Sequence, residues 1–248
     1  MSEGNGRTAS PQFAVLAAIL GLSLIVSTLI FSSAFVKVRS TSAITVTGSA
    51  EKQIKSDLIV WSAVFSRRSA KLPEAYTAIK KDLEEVRAFL KAKGVDDEEI
   101  TVMPLSVNTF YAVDSHGRET SQVTGYGLTQ SVEVKSKRVD KITAVSRESS
   151  ELINKGIEFQ SMPPQYFYTK LNELKVDMLA EATKNARKRA EQIATQGGGQ
   201  LGPLRSSKMG VFQITPVYST EVSDYGICDT SSLEKKITAV VNTEFAIK

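Results

Sequence analysis

The N-terminal apolar run is the feature that most restricts what this chain can form. Residues 13–36 carry no charge, and Lys37 and Arg39 follow them. As a helix rising about 1.5 Å per residue, the run is about 36 Å long, which exceeds the roughly 30 Å hydrocarbon core of a bilayer. Because it is apolar on every face, it does not suit the core of a globular domain. It predicts one transmembrane helix over 13–36, preceded by a disordered polar tail over 1–12.

A cleaved signal peptide is the competing interpretation of the same run. Ser32–Ala34 resembles a small-residue cleavage site, but the apolar region of a signal peptide usually spans only about 7–15 residues. The length therefore favours an uncleaved anchor. The positive charges after the run favour a cytoplasmic domain under the positive-inside rule, although that rule is weak for long domains.

The remainder of the chain, residues 43–248, is long enough for one large or two small domains. The net charge is +4, and both signs are mixed along the chain, which disfavours nucleic acid as a partner. The one cysteine, Cys228, excludes an intrachain disulfide. It is either an inert surface thiol or a link to another chain.

Strand and helix patterns alternate through the first half of this region. The apolar run 58–65, which contains Trp61, predicts a central strand covered on both faces. A helix is predicted from Pro73 to Gly94. Its apolar stripe consists of Tyr76, Ile79, Leu83, Val86 and Leu90. Residues 100–111 then predict a strand with an edge position or bulge at Pro104.

The second half repeats the order of strand, helix and strand. Residues 128–134 alternate between apolar and polar side chains, which predicts one buried and one wet face. The inward side chains of the helix that follows, over 139–154, are Ile142, Val145, Leu152 and Ile153. The longest helix is predicted over 171–196, a polar loop over 219–232, and a final strand over 237–247. The fold class is therefore α+β, a mixed or antiparallel sheet with helices packed on it, in two strand–helix–strand units plus a long helix.

No residue pattern indicates a chemical reaction. His116 is the only histidine and lies in a glycine-flanked turn, where it has no orienting partner. The acidic run Asp96–Glu99 lacks the spaced oxygen ligands of a calcium loop. Gly197–Gly199 follows a helix, whereas a phosphate-binding loop precedes one. We therefore predict no catalytic, metal-binding or cofactor-binding residue.

The long helix carries two further patterns. Acids occupy its first half and bases its second half, which offsets the helix dipole, although the bases could also form a patch for phosphate or anionic lipid. Ala182, Ala186 and Ala190 form a stripe of small side chains that Met178, Leu179 and Ile193 extend. The stripe suits close packing in the core or a contact between subunits. Arg189 projects on nearly the same side and needs a polar partner there.

Several segments, taken in order, resemble one family. They are Ile44–Ala50, Thr124–Val134, the alanine-rich part of the long helix at 182–190, and Gly198–Gly202. Together they resemble the SIMPL-domain (YggE-like) family over about residues 43–248. The resemblance implies a mixed α/β domain exported to the bacterial periplasm or cell envelope, a link to oxidative or envelope stress, and oligomeric assembly. It supplies no catalytic residues.

These patterns lead to one functional prediction with alternatives. We predict a single-pass inner-membrane protein, anchored by residues 13–36, whose non-catalytic domain lies in the periplasm and forms homo-oligomers. Its contact face would be the alanine stripe or an unpaired sheet edge. The alternatives are a lipid- or small-ligand-binding module, an envelope enzyme of unknown reaction, and a domain released into the periplasm by signal cleavage.

Overall fold

A computed structural model describes residues 11–39 and 42–248, and within the first helix it describes the side chains of Val15 and of 19–32. This helix, α1, spans Pro11–Arg39. The tail predicted over 1–12 lies outside the described residues, apart from the two with which α1 begins. Among the residues that the structure describes, none of the helices combines the length and the hydropathy needed to cross a bilayer.

Residues 42–248 form three more α-helices and eleven strands. The helices are α2 (Leu72–Ala92), α3 (Val139–Glu148) and α4 (Leu171–Gln196). The strands are β1 (Ala43–Lys55), β2 (Leu58–Ser69), β3 (Ile100–Val102), β4 (Ser106–Val113), β5 (Glu119–Ser136), β6 (Glu158–Ser161), β7 (Gln165–Phe167), β8 (Leu201–Met209), β9 (Gln213–Pro216), β10 (Ile227–Cys228) and β11 (Glu234–Ile247). Short 3-10 helices cover Asp97–Glu99 and Ser149–Lys155. The α+β prediction is confirmed, but with two sheets.

The six-stranded sheet has β2 near its centre, in the order β3-β5-β2-β6, with β4 also beside β5 and β7 beside β2. Its pairs are antiparallel. Trp61, Ala63 and Phe65 belong to the buried face of β2, and the residues between them are half-buried. The predicted cover on both faces is therefore complete on one face and partial on the other. Helices α2 and α3 pack on this sheet, and their apolar residues join the buried face of β2 in one core.

The apolar stripes of the two packed helices are narrower than predicted. Ile79 and Leu90 of α2 and Ile142 of α3 are buried in the core. Tyr76 and Ile153, which were predicted to face inward, are both more than half exposed. Tyr76 lies at the margin of its stripe, where a helix turns its side chains away from a flat sheet. The α-helix predicted over 139–154 ends at Glu148, and Ile153 belongs to the 3-10 helix that follows, which has a different period.

The second sheet is five-stranded and mixed. Its order is β1-β11-β9-β10, with β8 also beside β11, and β10 runs parallel to β9. The predicted bounds of α4 are confirmed, and its last turn is followed by Gly198 at a φ of 80°. The predicted alternation of β11 is confirmed too, because Ile237, Val241 and Phe245 are all buried.

The chain divides into two compact units. The larger contains Ser49–Thr183 and Met209–Val240, and with them the six-stranded sheet and its core. The smaller contains the described residues up to Gly48, together with Lys184–Lys208 and Val241–Lys248.

Candidate functional site

The most distinctive surface of the larger unit is a two-stranded ribbon formed by β4 and β5. Strand β2 pairs with β5 from Ser136 back to Tyr126 and no further. Before Tyr126, β5 has only β4 as a strand partner in the described chain, from Gly125 opposite Phe110 to Glu119 opposite Val113. Residues 110–125 therefore extend beyond the body of the sheet.

The ribbon and the adjoining part of β4, together the β4 surface, expose apolar side chains. Val107, Phe110, Tyr111, Val113 and Val123 are each between 39% and 61% exposed. Solvent thus reaches β-branched and aromatic residues of the kind that usually cover a core. Scattered single residues of this sort are normal on a surface, but these lie together on one hairpin.

Strand β4 is also a sheet edge. It pairs with β5 on one side, and no described strand lies on its other side. Its residues, Ser106–Val113, include neither a charged residue nor a proline, the features that usually prevent an edge from pairing with another chain. A two-stranded ribbon is at best marginally stable alone in water. The β4 surface therefore has the backbone groups and side chains that a further strand would contact.

The tip of the ribbon is a polar turn centred on Asp114. Its Oδ1 accepts hydrogen bonds from the backbone N–H of His116 at 2.8 Å and of Arg118 at 3.0 Å. The N–H groups of Arg118 and His116 lower the pKa of the Asp114 carboxyl. The His116 ring contacts the neighbouring Ser115 hydroxyl at 3.3 Å and is exposed. The structure thus places His116 in a turn whose hydrogen bonds close the ribbon.

The alanine stripe of α4 is buried. Ala182, Ala186 and Ala190 are fully inaccessible, whereas Ile193, which was predicted to extend the stripe, is 53% exposed. The stripe therefore serves packing within the chain. Arg189 is exposed, and its guanidinium donates a hydrogen bond to the carbonyl oxygen of Thr47 at 3.0 Å.

The acidic run at 96–99 has a structural use that its sequence did not reveal. Asp96 and Glu99 form a reciprocal capping box on a 3-10 helix, and both carboxylates pair with Arg138. Burial alone would raise the pKa of Glu99, but hydrogen bonds from Arg138 and Ser136 outweigh it and lower that pKa. Within the described residues, no group of three His, Cys, Asp or Glu side chains could hold a metal ion.

Sequence reasoning missed a buried lysine beside the polar loop. Lys235 is 3% exposed, and its ammonium donates hydrogen bonds to the carbonyl oxygens of Tyr166, at 2.6 Å, and Asp229. Burial lowers the pKa of Lys235. The signal was present in the alternation of the last strand, because residue 235 has the same parity as the buried residues Ile237 and Val241. Lys235 thus fastens the end of the loop to β7.

An antiparallel six-stranded sheet with two helices packed on it, together with a mixed five-stranded sheet, defines an α+β fold. The chain belongs to the SIMPL family, described as a protein of unknown function (DUF541), which it matches over residues 44–245. No curated protein matches the chain.

Proposed function

We propose that this protein is a membrane-anchored, non-catalytic SIMPL-domain protein of the bacterial envelope that assembles with copies of itself through the β4 surface. The observation that carries the proposal is the edge of β4, which is uncharged, exposes apolar side chains and is unpaired among the described residues. We place the domain in the periplasm, with a role in oxidative or envelope stress, on the family resemblance.

Helix α1 supports the anchor. Its large apolar side chains between Ile19 and Phe31 are between 48% and 74% exposed. Keeping such area in water is unfavourable by about 25 cal/mol per Å². The hydroxyl groups of Ser23 and Thr28 donate to the carbonyl oxygens of Leu20, at 2.9 Å, and Leu24, at 2.6 Å, so both are satisfied within the helix. Hydroxyl groups bonded in this way are compatible with lipid.

The anchor and the edge strand would act together. Confinement to a membrane raises the local concentration of the domains, so a weak contact is sufficient for assembly. The alanine stripe, the other predicted contact face, is buried within the chain, which leaves the sheet edge. A second copy of β4 meets the requirements of that edge, because it brings unpaired backbone groups and apolar side chains without charge repulsion.

The titratable residues that the fold brings together support a non-catalytic role. The Lys235 ammonium holds two backbone carbonyls, and Arg138 holds the carboxylates of Asp96 and Glu99. Each of these cations is engaged in fixing a loop or a turn. We infer that the chemistry of these residues is structural.

The test is the molar mass of the full-length protein in mild detergent, measured by light scattering over a range of concentrations. We expect an oligomer that Val107→Lys and Val113→Lys dissociate, with at least a tenfold weaker association constant for the double variant, since about 1.4 kcal/mol corresponds to tenfold. Val176→Lys, at an exposed valine of α4, is the matched control and should leave the mass unchanged.

Two outcomes would refute the assembly proposal. One is a wild-type protein that stays monomeric at the highest concentration. The other is an oligomer that is equally stable in the β4 double variant and in the control. The anchor is tested separately by fractionation of cells: a mature protein that begins near residue 35 and appears in the soluble fraction would exclude it.

A further inference from the structure

A concave surface beside the polar loop has the composition of a ligand site. The cavity has a volume of about 470 Å³, within the roughly 300–1,000 Å³ typical of small-molecule sites. Residues of α4, of the segment from Met209 to Ile214, and of the loop and strand from Tyr225 to Cys228 line it. All of them belong to the larger unit.

Most of the lining is apolar, and much of it is open to solvent. Met209 and Val211 are 54% and 43% exposed, and Tyr225 at the rim is 98% exposed. Phe212 and Ile227 line the cavity as well. A group of exposed apolar residues around a concave surface is typical of a binding site.

Gly226 holds the rim in place. Its φ is 84°, and a Cβ atom there would lie 2.9 Å from the carbonyl oxygen of Phe212. Only glycine therefore lets the loop approach the main chain so closely with this conformation. The glycine sets Tyr225 and Ile227 on either side of it along the wall of the cavity.

One cation lies in this apolar lining. The ammonium of Lys175, on α4, lies 5.6 Å from the centre of the Phe212 ring. Among the described residues, the Lys175 ammonium contacts this ring and pairs with no carboxylate. Lys175 is half-buried, so its charge is only partly screened by water. Its position favours a ligand with one anionic group and an apolar body.

We propose that this cavity binds a medium-chain carboxylate, with its hydrocarbon on the apolar lining and its carboxylate at the Lys175 ammonium. The site is separate from the β4 surface and does not depend on assembly. Cys228 reports on it directly, because it is exposed, lines the cavity and is the only cysteine in the chain.

The experiment measures how fast N-ethylmaleimide labels Cys228 in the full-length protein, held in phosphatidylcholine nanodiscs, by intact-protein mass spectrometry. Decanoate is the probe, and decanol is its uncharged counterpart. We expect decanoate to slow labelling saturably, at about a tenfold lower free concentration than decanol, because a charge-assisted contact adds about 1.4 kcal/mol.

Three variants identify the groups involved. Lys175→Gln should remove the preference for decanoate and leave the effect of decanol unchanged. Met209→Ser should weaken both ligands. Lys188→Gln, at an exposed lysine further along α4, is the matched control and should behave as wild type. Because all the proteins share the same lipid, partition of the probes into the bilayer affects them equally.

The proposal is overturned if decanoate does not protect Cys228, if decanol protects it equally well, or if Lys175→Gln retains the preference. Trp61 fluorescence, from a buried side chain, checks that each variant is folded. A variant that fails this check is replaced by Lys175→Met, which keeps the length of the side chain.

Discussion

The guanidinium of Arg67 on β2 donates two hydrogen bonds to the carboxylate of Asp82 on α2. One runs from Nη2 to Oδ1 at 2.7 Å, and the other from Nε to Oδ2. The Asp82 side chain is 5% exposed, whereas that of Arg67 is 32% exposed. The pair therefore connects the helix to the sheet at a site that water reaches from one side only.

We expect Asp82→Asn to lower the free energy of unfolding by about 3 kcal/mol, the lower end for a broken buried pair, because Arg67 keeps some access to solvent. Urea denaturation of the full-length protein in detergent measures it. Asp97→Asn, which removes the exposed pair with Lys91, is the control and should change stability by less than about 1 kcal/mol. Equal effects of the two substitutions would contradict the assignment.

The pKa of Glu99 is lowered in the folded protein, and this gives stability a pH dependence. The ionised Glu99 carboxylate contributes its full stabilisation above the unfolded-state pKa of about 4.3. This stabilisation is lost as the pH falls through the lower pKa of the folded state. We expect Glu99→Gln to be less stable at neutral pH and to lose less stability between about pH 5 and pH 3. Denaturation curves at a series of pH values measure this. Glu98→Gln, at an exposed neighbour, should keep the wild-type slope.

Lys235→Met should be destabilising even though it removes a buried charge. The carbonyl oxygens of Tyr166 and Asp229 lose their donor, and a buried group left without its partner costs about 1–3 kcal/mol. We expect a loss of about 2 kcal/mol and faster amide hydrogen exchange over residues 219–232. Lys188→Met, at an exposed lysine of α4, is the control. Unchanged exchange in the loop would show that Lys235 does not fasten it.

Gly202 on β8 is in close contact with the last strand. A Cβ atom at this position would lie 2.9 Å from the backbone oxygen of Ala246. Gly202→Ala should therefore lower the unfolding free energy by about 1–3 kcal/mol, as overpacking does. Thermal unfolding followed by circular dichroism tests this, with Gly21→Ala as the control because no described atom lies within 4 Å of its Cβ position. If Gly202→Ala leaves the unfolding free energy unchanged, β8 and β11 can move apart at little cost.

Local residue patterns were sufficient to predict the helices and most strands, but not which strands pair with one another. The bounds of α4 followed from its stripe and the glycines after it, and the buried face of β11 followed from alternation. Residues 100–111, predicted as one strand, form β3 and β4 separated by Met103–Leu105. The break follows from Pro104, which has no N–H for the ladder. The two-sheet arrangement rests on pairings between distant segments, which residue spacing does not encode.

The sequence predicted the kind of contact surface but not its position in the fold. An unpaired edge was expected, but its position depends on where β2 stops pairing with β5, at Tyr126. The cavity at Lys175 was not predicted, because α4, β9 and the loop meet there only in the fold. Lys235 could have been found from the parity of β11, since a lysine on a buried face needs polar partners.

The Lys235 ammonium divides the polar loop into two parts with different tolerance to engineering. From Cys228 onward the main chain is bonded to β9 and to the lysine, whereas Tyr218 and Val222 are 96% and 77% exposed. An epitope tag or a short inserted peptide should be accepted between Thr220 and Val222, beyond the Ser219 carbonyl that Lys236 contacts at 3.4 Å. The same insertion after Asp229 would displace a carbonyl that the lysine holds, and the protein would be recovered in poor yield.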